Sequence, residues 1–383
     1  MAKRVNALLE GEVEAFGNPS FSECFNCGNC TAVCPLSEDE TLFPRKTIRQ
    51  LQLGLRDDLK GALEPWLCYY CGTCSETCPR NAEPGELMMA TRRWLTAQYD
   101  WTGLSKLLYL SKAAEVAALL LVGGLVVALF ALSGAFTSAR MPLDHVRLNT
   151  FAPVMWVHYG DWVLAGLLSF FLLTNALRMH RFVMSGVSRP IPLTLYIQKF
   201  FLFVSHALTQ TRWRQCEDRT RWFKHFLLVT GYATMLILVV AFLPWFQRDG
   251  AEFHWTSLLG YYATAILLWY TVDAMIGRAR KSESMYRISH HTDWMFLILL
   301  FLVSLTGILV HIFRLFDLPM PTYITYVVHL ALAVPMLIVE VPFGKWAHLL
   351  YRPFAAYLQA VKEAAEEAAP EAAGVLVGSS AGR

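Results

Sequence analysis

The chain has 383 residues, a formal net charge of only +3, 55% hydrophobic residues and 16% charged ones. A balance this close to neutral excludes an electrostatically driven nucleic-acid partner, and so apolar a chain of this length calls for membrane segments. No G-x-G-x-x-G follows a strand pattern and there is no P-loop or nucleophile–base pair, so no catalytic residue is assigned.

Met1 to Gly17 is polar and charged, without the apolar core of a secretory signal, so reduced cysteines are expected. One cysteine pattern then occurs twice, as Cys24-x-x-Cys27-x-x-Cys30-x-x-x-Cys34-Pro35 and Cys68-x-x-Cys71-x-x-Cys74-x-x-x-Cys78-Pro79. Each run has the spacing of a bacterial-ferredoxin ligand set for a [4Fe–4S] cluster, in which the fourth cysteine serves the other cluster. Cys24, Cys27, Cys30 and Cys78 are therefore assigned to one cluster, and Cys68, Cys71, Cys74 and Cys34 to the second. A zinc site would use separated C-x-x-C pairs and four ligands in all, and a disulfide framework needs an oxidising compartment.

Between the runs, Ile48, Leu51, Leu53, Leu55, Leu59 and Leu63 lie among charged residues and predict one amphipathic helix over Thr47 to Leu63. A second is predicted from Pro84 to Gln98, with Pro84 in its first turn. No alternating strand pattern interrupts them, so residues 1–105 read as an all-α unit. This unit resembles the α-helical ferredoxin module found in the iron–sulfur subunits of succinate dehydrogenase and in the C subunit of heterodisulfide reductase.

Six stretches beyond Ala113 are apolar for the roughly 20 residues a bilayer requires: 113–136, 153–177, 223–246, 255–277, 292–314 and 322–343. Trp156, Trp162, Trp222, Trp245, Trp255, Trp294 and Trp346 stand near their ends, where interfacial aromatics belong. Arg178, Arg181, Arg189, Lys199, Arg212, Arg214, Arg219, Arg221 and Lys224 crowd one loop, and Arg278, Arg280, Lys281 and Arg287 the next on the same side. The opposite loops offer Arg140, Arg147, Arg248 and Arg314. Lys/Arg bias thus places the cysteine unit, the basic loops and the C-terminus on the cytoplasmic side of an inner membrane. Pro190 to Gln210, apolar within a basic loop, is expected to lie along the lipid surface. Cys216 stands alone on a polar loop as a spare, inert thiol. The Ala/Glu-rich tail, 356–383, is expected to fray from about Lys362.

His158, His225, His291, His311, His329 and His348 lie in or beside the apolar segments, where ionisable groups are costly and usually functional. Two imidazoles from facing helices can hold a six-coordinate b haem. His329 and His348 are nineteen residues apart, which on one helix at about 1.5 Å per residue puts them near opposite membrane faces. His291 and His311 point to nearly opposite sides of theirs.

The run Pro342-Phe-Gly-Lys-Trp-Ala-His348-Leu-Leu-Tyr-Arg-Pro resembles the last helix of the nitrate reductase gamma family of di-haem cytochromes b. Trp222-Phe-Lys-His225-Phe-Leu-Leu-Val-Thr-Gly231 resembles that family's partner helix, and the segment from Asp293 to Gly307 also has its look. The resemblance implies His225 and His348 at an inner haem and His329 at an outer one. The outer partner is His311, with His158, His254 and Met235 as alternatives, because the third segment lacks a second histidine. A six-span di-haem bundle over 106–355 behind a di-cluster ferredoxin resembles the cytochrome-bearing C subunit of the quinone-interacting membrane-bound oxidoreductase complex, or the C and E subunits of heterodisulfide reductase joined. By that resemblance the expected partners are the flavin-containing A and B subunits, menaquinone, membrane lipid and, downstream, adenylylsulfate reductase. A sulfite-reductase-linked or heterodisulfide-reductase complex, or a haem-free anchor, stand as alternatives. The duplicated Cys-Cys-Gly motif of the B and D subunits of heterodisulfide reductase is missing.

Of the other polar groups, Asp161, Asp273 and Glu340 lie within the spans. Glu340 is read either as a proton carrier for a quinone or as a partner for backbone freed near Pro335 and Pro342. Arg221, Arg287 and Arg352 are expected at haem propionates or lipid phosphates.

Overall fold

A computed structural model describes residues 4–17, 20–37, 42–187, 190–216, 218–250 and 252–378, with side chains through Glu367. Arg189 of the basic loop and residues 379–383 of the tail lie outside the described residues. Among the described residues every regular element is helical. The fold is all-α, a cysteine-rich N-terminal region followed by six helices long and apolar enough to cross a membrane. The chain divides into two compact units, one of residues 1–101, 174–219 and 348–383, the other of 102–173 and 220–347.

In the first unit the sequence repeat is also a backbone repeat. Cys24 and Cys68 are both extended, following the short helical turns Phe21–Glu23 and Glu64–Leu67. Gly28 (φ 87°) and Gly72 (φ 94°) then open the turns Asn29–Ala32 and Thr73–Glu76, a left-handed conformation that glycine adopts without steric cost. The single helix predicted over Thr47–Leu63 is instead two, Arg45–Gln52 and Arg56–Lys60. Gly54 breaks it, at φ 65° with its carbonyl accepting from the Asn6 N–H at 2.8 Å. Helix Pro84–Tyr99 begins where expected, with Pro84 in the first turn, whose N–H has no helical partner in any case.

Two segments from far along the sequence complete this unit. Trp66 stands 5.0 Å from Tyr351 and 6.2 Å from Tyr99, all three buried, so helix His348–Gly378 closes the ferredoxin-like core. Helix Leu193–Thr209 packs along that same helix, with Tyr357 donating to the Tyr196 carbonyl at 2.9 Å. Leu193, Ile197, Phe200, Phe201 and Leu208 are left exposed on one face, the stripe an interfacial helix presents to lipid. The tail expected to fray continues as helix through Gly378, as its Ala/Glu composition favours.

The second unit holds helices Lys112–Leu132, Arg219–Ala241, Thr256–Arg280, His291–Leu315 and Pro319–Pro335, with the first part of Val154–Met184. Such helices satisfy their own backbone groups, which lipid cannot do. Lys112–Leu132 meets Pro319–Pro335 at Gly123, where a Cβ would lie 2.7 Å from the Ala331 carbonyl oxygen. Small residues of this kind let membrane helices approach closely. Trp156, Trp162, Trp245 and Trp255 are exposed, but Trp346 is not interfacial. It is buried between Phe296 and Tyr232, because the chain turns inward after Pro342 and Gly344.

The continuous helix assumed between His329 and His348 does not form. After Pro335 the chain makes a π-turn, Met336–Glu340, and a 3-10 turn, Lys345–Ala347, and a new helix starts at His348. Proline cannot donate to the preceding turn, and Pro335, Pro342 and Gly344 together end the register.

Candidate functional site

Cys24, Cys27, Cys30 and Cys78 line one cavity with Gly28, Arg45 and Pro79. Around the second run, Cys34 lies within electrostatic reach of Cys68 and Cys71, and Cys74 within reach of Cys68, Cys71 and Cys34. Burial pushes the Cys34 thiol up to about 12, and burial with the neighbouring Cys24 pushes Cys30 up to about 11. Thiols gathered this tightly out of water do not ionise by themselves, and a cationic iron core is what would stabilise them as thiolates. The donor set therefore fits two four-iron clusters. Among the described residues no three donors converge on a single ion. In a cubane each thiolate holds a different iron, so its four sulfurs stand farther apart than ligands around one ion.

The second run carries a wrapping that the sequence does not reveal. Arg352 Nη2 donates to the Cys68 carbonyl at 3.3 Å and Arg352 Nε to that of Trp66 at 3.2 Å, with the guanidinium 4.1 Å over the Tyr69 ring. Arg352 thus serves neither of its expected partners, haem propionate or lipid phosphate, because helix His348–Gly378 carries it into the core of the first unit. Arg92 also donates to the Cys68 carbonyl, and burial lowers its own pKa to about 9. Trp213 stacks on Tyr69 at 5.1 Å, and the Tyr69 hydroxyl meets His206 Nε2 at 3.1 Å. Burial, reinforced by Arg352 and Arg212, lowers His206 to about 4, so the ring is neutral at ordinary pH.

Cys216 belongs to this wrapping. It is buried, with its thiol hydrogen-bonded to Cys71, rather than a spare thiol on a polar loop. A lone cysteine more than a hundred positions away gave no local signal of this. The basic residues around it, Arg212 and Arg214, marked only the side of the membrane.

The candidate haem ligands occupy distinct surroundings. His329 Nδ1 lies 3.0 Å from Thr306 Oγ1, and its ring rests against Gly307, where a Cβ would come within 3.2 Å of the imidazole. An imidazole held through one nitrogen presents the other in a fixed direction, as hydrogen-bond partners do for metal-bound histidines. His311 has both nitrogens engaged, Nε2 with the Tyr261 hydroxyl at 2.7 Å and Nδ1 accepting from Arg314 at 3.1 Å. His225 lies on helix Arg219–Ala241 and His348 opens the last helix. Of the alternatives, His254 Nδ1 meets Thr256 Oγ1 at 2.8 Å, whereas His158 Nδ1 is buried without a hydrogen-bond partner among the described residues. Asp273 pairs with Lys224 at 2.7 Å, and Arg221 with Glu283 at 2.9 Å.

Residues 20–82 match the family of 4Fe-4S dicluster domains. The N-terminal region is a 4Fe-4S dicluster domain. The chain is 36% identical over 104 residues to a protein of Archaeoglobus profundus that is like the C subunit of heterodisulfide reductase, covering 26% of this chain and 55% of that relative. It is 33% identical over 57 residues to the C subunit of the H(2):CoB-CoM heterodisulfide,ferredoxin reductase of Methanothermobacter thermautotrophicus, covering 15% of this chain and 31% of that one. A 66-residue match at 33% identity to the iron–sulfur C subunit of the CoB–CoM heterodisulfide reductase of Methanopyrus kandleri covers 17% and 34%. The chain thus spans about half the length of the first of these relatives and a third of the others. No solved structure matches.

Proposed function

We propose that this protein is the membrane electron-transfer component of a larger complex, carrying electrons between a quinone pool, menaquinone by the resemblance noted above, and a flavoprotein partner on the cytoplasmic side. Its carriers would be two [4Fe–4S] clusters on the cysteine sets Cys24/Cys27/Cys30/Cys78 and Cys68/Cys71/Cys74/Cys34, and two b haems. Clusters and haems supply one-electron chemistry, and everything else is done by side chains that hold, orient and insulate them. His225, His329 and His348 are offered as axial ligands, and His311 as a fourth that must first release Tyr261.

The observation that carries this reading is the duplicated cysteine framework in one chain with six membrane-length helices that bear oriented imidazoles. The flavin-containing A and B subunits of a quinone-interacting oxidoreductase complex, supplying adenylylsulfate reductase, are the proposed partners. Relatives described as parts of heterodisulfide reductases favour a second reading, in which the same chain serves a heterodisulfide-reductase-type complex.

A reduced-minus-oxidised visible spectrum of anaerobically purified protein, with a menaquinol analogue as sole reductant, tests the proposal. A b-type haem signal appearing with quinol is expected. No haem signal even with dithionite would leave a membrane-anchored ferredoxin. A haem reduced by dithionite alone would remove quinol as its donor.

A further inference from the structure

Two carboxyls meet inside the membrane bundle, away from the cysteines and from the proposed haem ligands. Glu115, in the first turn of helix Lys112–Leu132, and Glu340, closing the π-turn Met336–Glu340, are each 1% exposed. Among the described residues no donor hydrogen-bonds to either oxygen of Glu115, and both are out of water. The Glu340 carboxyl is near enough to supply that bond once one of the two carries a proton.

The chain is built around this pair. Glu340 Oε2 accepts from the Lys345 backbone N–H at 3.2 Å, and a Cβ on Gly344 would come 2.3 Å from that oxygen, so only glycine lets the turn close over it. The π-turn that aims Glu340 inward follows Pro335, and π-turns inside helices are frequent at functional sites. On the other side, His291 Nε2 lies 3.6 Å from Glu115 Oε2 and 3.1 Å from the Leu108 carbonyl, with the imidazole side chain 20% exposed. His291 therefore spans the distance from the buried pair to the protein's surface.

The charges around the pair come from every element packed there. Lys112 lies on Glu115's own helix, His291 and Asp293 on helix His291–Leu315, and Lys345 on the turn after Glu340. The Lys345 ammonium pairs with Asp293, and Arg278 lies 3.7 Å from the same carboxylate. The nearby Lys345 and Arg278 thus gather on Asp293, and the ion-pair partner of Glu115 among the described residues is His291, when its ring carries a proton. Two adjacent carboxylates without a bonded cation cannot both remain ionised in an apolar interior, and ionisable groups kept inside a membrane bundle are functional by default.

We propose that Glu115 and Glu340 hold a single proton between them and exchange it with the aqueous phase through His291. A proton on the imidazole is transferred as its N–H bond breaks and an O–H bond forms at Glu115, and the return step reverses this with no change in electron count. The ligand of this site is a proton, and the site goes beyond the electron-transfer reading, since it needs neither haem nor cluster.

The test is infrared difference spectroscopy of the full-length protein in lipid, following protonated-carboxyl C=O bands through H/D exchange. Wild type is expected to show one such band, lost in both Glu115→Gln and Glu340→Gln, because either carboxyl left alone beside Lys345 or His291 ionises. A band lost in only one variant, or no band in wild type, overturns the shared proton. His291→Asn is expected to slow H/D exchange of the band by roughly a hundredfold, the low end for a positioned proton-transfer group, and an unchanged rate overturns the relay. Should a variant fail to assemble, a pH jump on wild type decides: the band must change by one carboxyl's amplitude and no more, and a two-carboxyl change overturns the proposal.

Discussion

Arg352 and Cys68 are 284 positions apart, yet the Arg352 guanidinium donates to the Cys68 carbonyl at 3.3 Å. Arg92, half-buried, donates to the same carbonyl, so two cations flank one residue of the proposed second cluster set. A cation beside a cluster stabilises its reduced, more negative state, and hydrogen bonding and charge are among the factors that set cluster potentials.

Arg352→Gln is therefore expected to lower the potential of one cluster by on the order of 50 mV, with the other nearly unmoved, from a single charge at an effective dielectric near 20. Arg352→Lys, which keeps the charge but not the forked donation, should recover much of the shift. Redox titration followed by electron paramagnetic resonance reads both, and equal shifts in the two clusters would remove Arg352 from the second one.

The crossing of the fourth cysteines is separately testable. Cys34→Ala is expected to remove the cluster of Cys68, Cys71 and Cys74, and Cys78→Ala the other, each taking non-haem iron from roughly eight atoms per chain to roughly four. Cys216→Ala should leave non-haem iron near eight, since Cys216 hydrogen-bonds to the proposed ligand Cys71 rather than serving as one. Iron and labile-sulfide assays decide, and loss of a whole cluster in Cys216→Ala would make it a ligand.

His206 gives a pH dependence with a definite sign. Burial and the neighbouring Arg352 and Arg212 lower its pKa from 6.5 to about 4, so the folded protein binds fewer protons than the unfolded chain between those values. Its neutral form costs nothing above pH 6.5, and stability falls as the pH drops from about 6.5 to about 4, by an order of 1–3 kcal/mol in all. Thermal bleaching of the clusters should therefore shift to lower temperature over that interval. His206→Gln should flatten this part of the profile, and an unchanged slope would assign it to other groups.

Helix packing in the bundle depends on Gly123, whose added Cβ would meet the Ala331 carbonyl oxygen at 2.7 Å. Backbone cannot swing aside as a side chain can. Gly123→Ala should cost about 1–3 kcal/mol, the usual penalty of overpacking, read as a lower melting temperature in detergent. Gly124→Ala, with nothing within 4 Å of its added Cβ, is the matched control and should be nearly silent.

These features differ in how far the sequence revealed them. The cysteine runs and the six spans are local patterns, written in spacing and in unbroken apolar length, and they were readable. Arg352, Trp213 and Cys216 act on the second run only after the chain has returned across more than a hundred residues, and no periodicity encodes that return. Gly54 was visible as a residue but not as a break, because its left-handed turn is fixed by a bond from Asn6. Trp346 had the position of an interfacial aromatic, and only the inward turn after Pro342 and Gly344 buries it. The same turn misled the helical count from His329 to His348.

His329 bears on the proposed haems most directly. Its Nδ1 is 3.0 Å from Thr306 Oγ1 and its ring lies against Gly307, so Nε2 is the nitrogen left to meet iron. His329→Ala is expected to halve the haem content, read as pyridine haemochrome per chain, while Thr306→Val should keep both haems and shift one potential, because the imidazole loses its orienting bond but not its place. His311→Ala then decides the partner. Loss of the same haem assigns the fourth ligand to His311, at the expense of its bond to Tyr261. Retention passes the role to His158, whose buried Nδ1 has no hydrogen-bond partner among the described residues, and His158→Ala should then remove that haem. Full haem content in His329→Ala would take the outer haem away from this helix altogether.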